Sequence, residues 1–246
     1  MPSRLALAAS GPAVSLGTVG TVLALLPSPL LGPGAWQPVA ERLSACGWVV
    51  VTPSKAATAP RSPADVLHHF RAALPSGDDL VLIPHSNAGL YVPALTVRRR
   101  VAGYVFVDAG VPASGGRAPL APLAMLGFLA RLADDNGLLP PWSRWWDEAD
   151  VAPLFPTTAV REQIERGQQR LPLSYFRESL PVPSGWDDKP GAYLAFGDTY
   201  ALDRSEAAAR GWPVTTLSGK HLHMLVDPQQ VATEIDALLP KIRVHR

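Results

Sequence analysis

The sequence predicts an α/β fold: one mostly parallel, doubly wound sheet that is interrupted by a helical insertion. Short apolar runs rich in β-branched residues alternate with longer segments of helical period, which is the pattern of parallel strands joined by helices. One interval, residues 111–185, breaks this alternation. A chain of 246 residues has room for one large domain with such an insertion, since domains contain roughly 150 residues.

Six apolar runs are predicted as strands of the sheet, because each is short and rich in residues that favour extended backbone. They are Thr21–Leu26, Trp48–Thr52, Leu80–Ile83, Val101–Val107, Tyr193–Phe196 and Val214–Leu217. Five segments with helical period accompany them. They are Gln37–Cys46, Pro63–Leu74, Asn87–Arg100, Ser205–Gly211 and Pro228–Leu239.

The interval 111–185 has no good strand signal and is rich in aromatic residues. We therefore predict a core made of residues 1–110 and 186–246, with 111–185 inserted between two of its strands as a helical cap. Trp142 and Trp146 are four residues apart, so a helix there would present both rings on one face.

Charge and cysteine content exclude several kinds of site and partner. Lys and Arg number 22 against 21 Asp and Glu, and the only basic run is Arg98–Arg100, which argues against nucleic acid as a partner. Cys46 is the only cysteine, so an intrachain disulfide and a cysteine-rich zinc site are excluded. Two glycine-rich segments, Gly17–Gly20 and Gly32–Gly34, lack the remaining residues of phosphate-binding loops. No cofactor is predicted.

Proline and glycine interrupt every long apolar stretch, so no membrane span is expected. The segment Leu5–Ala9 follows an arginine and is apolar, but it is short for a secretion signal and Gly11-Pro12 follows soon after it. The expected location is the cytoplasm, with secretion as the alternative.

Residues Leu80–Gly89 combine a buried strand, a serine with small neighbours and the start of a helix. The segment resembles the nucleophile elbow of the α/β-hydrolase superfamily, G-x-S-x-G, with Ser86 as the nucleophile. Positions two before and two after the serine must be small, because strand and helix cross closely there. Ala88 meets this requirement, whereas Pro84 replaces the usual glycine. The alternative is that Ser86 is the N-cap of an ordinary helix.

The superfamily places its catalytic histidine in the loop after the last strand, and an Asp-Pro helix start commonly follows. The resemblance assigns this role to His221, since Pro228 comes seven residues later. His221 would take the Ser86 proton and return it to the leaving group. His223 is the rival, and we expect it to pack behind the loop. A metal site at this pair would lack a third ligand at a familiar spacing.

The acid has two candidates. The superfamily usually takes it from a G-x-x-D pattern after the penultimate strand, where this chain has Gly197-Asp198-Thr199-Tyr200. Asp198 comes two residues early, and Tyr200 occupies the expected position. Other members take the acid from the end of the strand after the nucleophile helix, where Asp108 stands. We prefer Asp108, which needs no shift in register, over Asp198, with Asp203 as a more remote candidate.

The oxyanion hole departs from the superfamily pattern. Pro27-Ser28 replaces the usual His-Gly, and Pro29 occupies the donor position, although proline has no N–H. The resemblance leaves the Asn87 N–H as one donor. The Leu30 N–H or the Ser28 hydroxyl would supply the other if the loop is shifted by one residue.

Together these residues predict a serine hydrolase acting on a small, neutral, largely hydrophobic ester, thioester or lactone. Its pocket would include Pro29, Trp142, Trp146 and Tyr200. The first alternative is the same fold running non-hydrolytic chemistry, as a lyase, isomerase or cyclase, with Ser86 and His221 moving protons. The second is a binding protein without catalysis.

Overall fold

A six-stranded parallel sheet forms the centre of the protein in the computed structural model, which describes residues 20–245. The strands in chain order are β1 (Thr21–Leu26), β2 (Val49–Val51), β3 (Asp79–Ser86), β4 (Val101–Ala109), β5 (Gly116–Pro119), β6 (Ser179–Val182), β7 (Gly191–Phe196) and β8 (Val214–Leu217). The large sheet has the order β2-β1-β3-β4-β7-β8, so the predicted parallel sheet is confirmed.

The helices follow the strands in the predicted alternation. They are α1 (Gln37–Ala45), α2 (Pro63–Ala73), α3 (Val92–Thr96), α4 (Leu123–Leu132), α5 (Glu148–Val151), α6 (Thr158–Gly167), α7 (Leu173–Arg177), α8 (Ala201–Ala209), α9 (His223–Val226) and α10 (Pro228–Leu238). α1 packs against α10, and α2 packs against α3. Right-handed crossovers place these two pairs on opposite faces of the sheet.

The strand order reverses direction beside β3. From β1 the chain moves outward to β2 and then crosses back to β3, on the other side of β1. Ligands of open α/β sheets bind at the carboxyl ends of the strands next to such a switch point. Ser86 is the last residue of β3, so the fold places the predicted nucleophile at this position.

Several details differ from the sequence-based expectation, among them α8, which begins at Ala201, four residues before the predicted start at Ser205. Residues 111–185 contain a two-stranded antiparallel sheet, β5 with β6, which was not predicted because each strand has only four residues and each contains a proline. The helix predicted over Asn87–Arg100 divides into a 3-10 helix at Asn87–Tyr91 and α3. Pro93 lies at the start of α3, where its missing N–H cannot continue the hydrogen bonding of the preceding turn.

Within residues 20–245, no helix has both the length and the hydropathy that crossing a membrane requires. The segment Leu5–Ala9, considered above as a secretion signal, lies outside the described residues.

Candidate active site

Ser86 occupies a sharp turn between β3 and the 3-10 helix Asn87–Tyr91. Its backbone has φ 60° and ψ −132°, a positive φ that non-glycine residues adopt only under strain. The pairing of β3 with β4 shifts register between His85 and Ser86, and the Gly110 N–H donates to the Ser86 carbonyl at 3.2 Å. The turn that was predicted from the sequence pattern is therefore present and is held by the neighbouring strand.

The 3-10 helix after Ser86 passes very close to the backbone at the end of β4, and the contact falls on Gly89. A Cβ atom added at Gly89 would lie 2.1 Å from the Gly110 carbonyl oxygen. Small residues were predicted to be needed at the positions of Pro84 and Ala88, but not at Gly89. The sequence does contain an indication of this requirement, because Gly89 directly follows Ala88, a position that was already expected to be small.

His221 connects the serine to a carboxylate. Its Nε2 lies 3.0 Å from Ser86 Oγ, and its Nδ1 lies 2.6 Å from Asp108 Oδ2. Asp108 is fully buried, and Ser86 and His221 are each less than a tenth exposed. With Nδ1–H donating to the carboxylate, Nε2 is free to accept the serine proton, which is the arrangement of a general base.

Asp108 is fixed at both carboxylate oxygens. While Oδ2 contacts His221, Oδ1 accepts a hydrogen bond from the Phe196 N–H at 3.0 Å. The next residue, Ala109, is bonded through both its N–H and its carbonyl to the Tyr193 hydroxyl. Asp108 also has a positive φ of 41°. These contacts leave the carboxylate little freedom to turn away from the histidine.

The other two acid candidates lie elsewhere. The Asp198 side chain is 85% exposed and pairs with Arg204 at 3.0 Å. Asp203 accepts a hydrogen bond from the Val111 N–H at 2.7 Å, and burial raises the pKa of its carboxyl. The structure brings Asp108, and neither of these, into contact with the His221 ring.

His85, which precedes the serine, supports His221 from behind. The two rings stack with centroids 4.5 Å apart, and His85 Nε2 lies 3.0 Å from the His221 carbonyl oxygen, so this nitrogen carries the proton. Burial, with a contribution from the nearby His221 ring, lowers the pKa of His85 well below its usual value. His85 is therefore neutral in the folded protein.

We expect this buried histidine to make the protein less stable as the pH falls. An unfolded His85 binds a proton below about pH 6.5 whereas the folded one does not, so the free energy of unfolding falls by up to about 1.4 kcal/mol per pH unit. Urea titrations of His85→Gln from pH 7 to 5 should lack this contribution. His68→Gln, which alters an exposed residue of α2, should keep the wild-type slope. Equal slopes for wild type and His85→Gln would contradict the assignment.

His223 packs behind the loop. Its ring contacts Phe196 edge-on at 5.5 Å, and Nε2 lies 3.2 Å from Gln230 Oε1. A Cβ added at Gly219 would lie 2.6 Å from the His223 ring. The rival histidine thus has a packing role on the far side of the loop.

One backbone N–H group of the loop after β1 already donates a hydrogen bond within that loop. The Leu30 N–H donates to Ser28 Oγ at 3.3 Å, and Ser28 is buried. Pro29, which has no N–H, is half-buried between them. To bind an oxyanion, Leu30 would have to exchange its bond to Ser28 for one to the substrate.

Two residues of the inserted segment 111–185 hold the side chain of Asn87, the residue after the serine. Its Nδ2 donates to the Leu120 carbonyl at 3.1 Å, and its Oδ1 accepts from the Tyr175 hydroxyl at 3.0 Å. Tyr175 in turn accepts from Tyr91 at 2.6 Å. The Asn87 N–H is at the start of a helix, where backbone donors have no partner within the helix. Leu120 and Tyr175 therefore fix the side chain of the residue whose N–H is the predicted oxyanion donor.

Aromatic rings flank His221. Trp142 lies 6.0 Å and Tyr200 lies 5.5 Å from its ring, centroid to centroid, and the Tyr200 hydroxyl lies 3.2 Å from Ser86 Oγ. Trp146 contacts Trp142 at 5.1 Å and is 39% exposed, so it is one ring further from the histidine.

Within residues 20–245, no group of three or more His, Cys, Asp or Glu residues is suited to hold a metal ion.

Comparison with known proteins shows similarity at the level of structure alone. No family model and no curated protein sequence matches the chain. An extracellular α/β-hydrolase from a Paenibacillus species, described as a structural and functional homologue of tobacco salicylic acid binding protein 2, is similar with a TM-score of 0.70 and 17% identity, over 89% of this chain and 98% of that one.

Two further solved structures have comparable scores. Polyneuridine aldehyde esterase has a TM-score of 0.65 at 15% identity, over 89% of this chain and 98% of its own. Tomato methylketone synthase I in complex with 2-tridecanone has 0.67 at 16% identity, over 92% and 100%. The order of the strands, the serine at the carboxyl end of β3 and these similarities lead to one conclusion: the chain has the α/β-hydrolase fold.

Proposed function

We propose that this protein is a serine-dependent hydrolase that cleaves small, neutral, largely hydrophobic esters, thioesters or lactones through an acyl-enzyme on Ser86. The observation that carries the proposal is the continuous hydrogen bonding from Asp108 through His221 to Ser86, at 2.6 Å and 3.0 Å. A serine that is only a helix N-cap has no need of a buried histidine and carboxylate behind it.

The geometry suits acyl transfer. Ser86 Oγ would attack the substrate carbonyl while its proton passes to His221 Nε2, and Asp108 would stabilise the resulting imidazolium. When the tetrahedral intermediate collapses, the bond to the leaving group breaks and His221 returns the proton to the departing atom. Water then attacks the acyl-enzyme with His221 again as the base, which releases the acid and restores Ser86.

Charge on the tetrahedral intermediate needs hydrogen-bond donors close to Ser86. The Asn87 N–H is one, and the position of Asn87 at a helix start favours an anion. Leu30 is the second candidate if the substrate draws its N–H away from Ser28 Oγ, and the Ser28 hydroxyl is the alternative.

The preference for a neutral, hydrophobic substrate comes from the rings beside the histidine. Trp142 and Tyr200 flank His221, and Trp146 extends this apolar surface outward. Apolar pockets with few polar groups bind uncharged ligands of matching shape. Pro29, the remaining predicted pocket residue, is half-buried in the loop after β1, which lies on the other side of β3.

A second candidate is non-hydrolytic chemistry on the same residues, as a lyase, isomerase or cyclase in which Ser86 and His221 move protons. The observation that favours it is the engaged Leu30 N–H next to Pro29, since a reaction without a tetrahedral oxyanion does not need that donor.

Labelling with a fluorophosphonate distinguishes the two candidates. We expect covalent modification of the wild-type protein at Ser86, and its loss in Ser86→Ala together with the loss of hydrolysis of short-chain esters. Ser205→Ala is the matched control, because Ser205 is exposed on α8 and the variant should label as the wild type does. A folded wild-type protein that neither labels nor hydrolyses any ester would contradict the hydrolase proposal.

A further inference from the structure

The strand order gives Ser86 two different flanks. The loop after β1 lies on one side of β3, and the loops after β4, β7 and β8 all lie on the other. Leu30 belongs to the first group, whereas His221 and Tyr200 belong to the second. A substrate carbonyl carbon has two further substituents, the acyl chain and the leaving group. When the carbonyl oxygen points toward the β1 loop, the leaving group must still face His221, which protonates it, and it therefore lies on the side of Tyr200.

Tyr200 is in direct contact with the nucleophilic atom. Its hydroxyl lies 3.2 Å from Ser86 Oγ, while His221 Nε2 lies 3.0 Å from the same oxygen. When the serine proton is directed to His221, Ser86 Oγ can only accept from the phenol, so Tyr200 is the donor. Burial raises the pKa of the Tyr200 phenol, and the carboxylates of Asp108 and Asp203 raise it further. The phenol therefore keeps its proton and remains a donor throughout the neutral range.

We propose that Tyr200 is a catalytic residue that donates a hydrogen bond to the leaving-group oxygen as Ser86 is acylated. The proposal rests on the hydrolase function given above. As the carbon–oxygen bond breaks, its electron pair stays on the departing oxygen, and the proton that neutralises it comes from His221 Nε2. Tyr200 gives up no proton and stabilises the partial charge before that transfer is complete. By microscopic reversibility, it holds the attacking water in the same place during deacylation.

The proposed role explains why residue 200 carries a hydroxyl group and not only an aromatic ring. An apolar wall beside His221 would be provided equally well by phenylalanine. The hydroxyl instead lies within hydrogen-bond reach of Ser86 Oγ, the atom that will be bonded to the reacting carbon. Tyr200 also begins α8, as its N-cap residue, so its backbone is held by a regular element rather than by a long loop.

Two esters of one acid test the proposal with Tyr200→Phe. 4-Nitrophenyl butyrate has a weakly basic leaving group that needs little stabilisation, whereas ethyl butyrate releases a strongly basic alkoxide. We expect kcat/KM, which reports acylation, to fall about 10- to 100-fold for the ethyl ester and less than about threefold for the nitrophenyl ester. Tyr104→Phe removes another buried phenol hydroxyl, one that donates to the Trp186 carbonyl, and should affect both esters equally.

Other outcomes overturn the proposal. Equal losses on both esters in Tyr200→Phe would assign the hydroxyl to the oxyanion or to Ser86 itself, and unchanged kcat/KM on both would make Tyr200 a packing residue.

A second measurement supports the proposal independently: kcat/KM should depend more steeply on the pKa of the leaving phenol in Tyr200→Phe than in the wild type. If the wild type cleaves neither ester and Ser86 is not labelled, the hydrolase function fails as well. If the wild type is active and only the selectivity is missing, the hydrolase function stands and the Tyr200 assignment falls.

Discussion

Replacing Asp108 by Asn is expected to lower kcat/KM for ester hydrolysis by about 10⁴-fold. The amide can still accept from the Phe196 N–H through its oxygen, so the local fold should survive. Its NH₂ group would then face His221 Nδ1, where it can donate but not accept. Nδ1 would have to accept, which places the ring proton on Nε2 and leaves nothing there to receive the serine proton. Steady-state kinetics with a 4-nitrophenyl ester measure the loss, and the unfolding midpoint checks the fold.

Asp198→Asn is the matched control for this experiment. Asp198 is an exposed residue paired with Arg204, and exposed ion pairs contribute little to stability, so this variant should retain wild-type activity within about twofold. Equal losses in the two variants, or a larger loss in Asp198→Asn, would show that the acid has been assigned to the wrong carboxylate.

Replacing Gly89 by Ala is expected to lower the free energy of unfolding by about 3 kcal/mol or more, at the upper end of the usual cost of overpacking. The added methyl group would lie 2.1 Å from the Gly110 carbonyl oxygen. A methyl group has no rotamer and the atom it meets is backbone, so no side-chain rotation relieves the overlap, and the 3-10 helix must move away from the end of β4. Gly110 also donates to the Ser86 carbonyl, so the same shift should lower the rate at which Ser86 is labelled.

Gly127→Ala provides the comparison for the stability measurement. Gly127 lies within α4, where an added Cβ meets no atom within 4 Å. Alanine is favoured over glycine inside a helix, so this variant should be more stable by about 0.5–1 kcal/mol. Urea unfolding of both variants gives the two free energies. A Gly89→Ala protein as stable as the wild type would contradict the close approach of the 3-10 helix to the end of β4.

Most of the central sheet could be predicted from the sequence, because buried parallel strands have a strong local signal. The predicted Thr21–Leu26 and Val214–Leu217 match β1 and β8 residue for residue. β5 and β6 could not be predicted, since four-residue strands with prolines lack that signal. They form by pairing with each other, from Gly116 with Val182 to Pro119 with Ser179, and such long-range pairing leaves no local pattern.

The candidate site residues that belong to a continuous sequence motif could be predicted from the sequence. Those that come together only in the folded chain could not. Ser86 and the loop of His221 were identified from neighbouring residues. Asp108 and Asp198 could not be separated with certainty, because both follow strands that end at the same edge of the sheet. Only the fold determines which carboxylate meets Nδ1. The contact between the Tyr200 hydroxyl and Ser86 was not predicted either, although Tyr200 was named as a pocket residue.

The carboxylate that contacts His221 comes from β4, and this affects which residues of the loop after β7 can be replaced. Since the carboxylate bonded to His221 Nδ1 is that of Asp108 and not one from the loop after β7, the residues from Gly197 to Tyr200 do not have to position a charged partner for the histidine. In that loop only the exposed Asp198 and Thr199 are free to vary, since a Cβ added at Gly197 would lie 2.7 Å from the Gly219 carbonyl oxygen and Tyr200 contacts Ser86. For directed evolution of new leaving-group selectivity, these two positions are the first to randomise, because the proton-transfer residues stay unchanged.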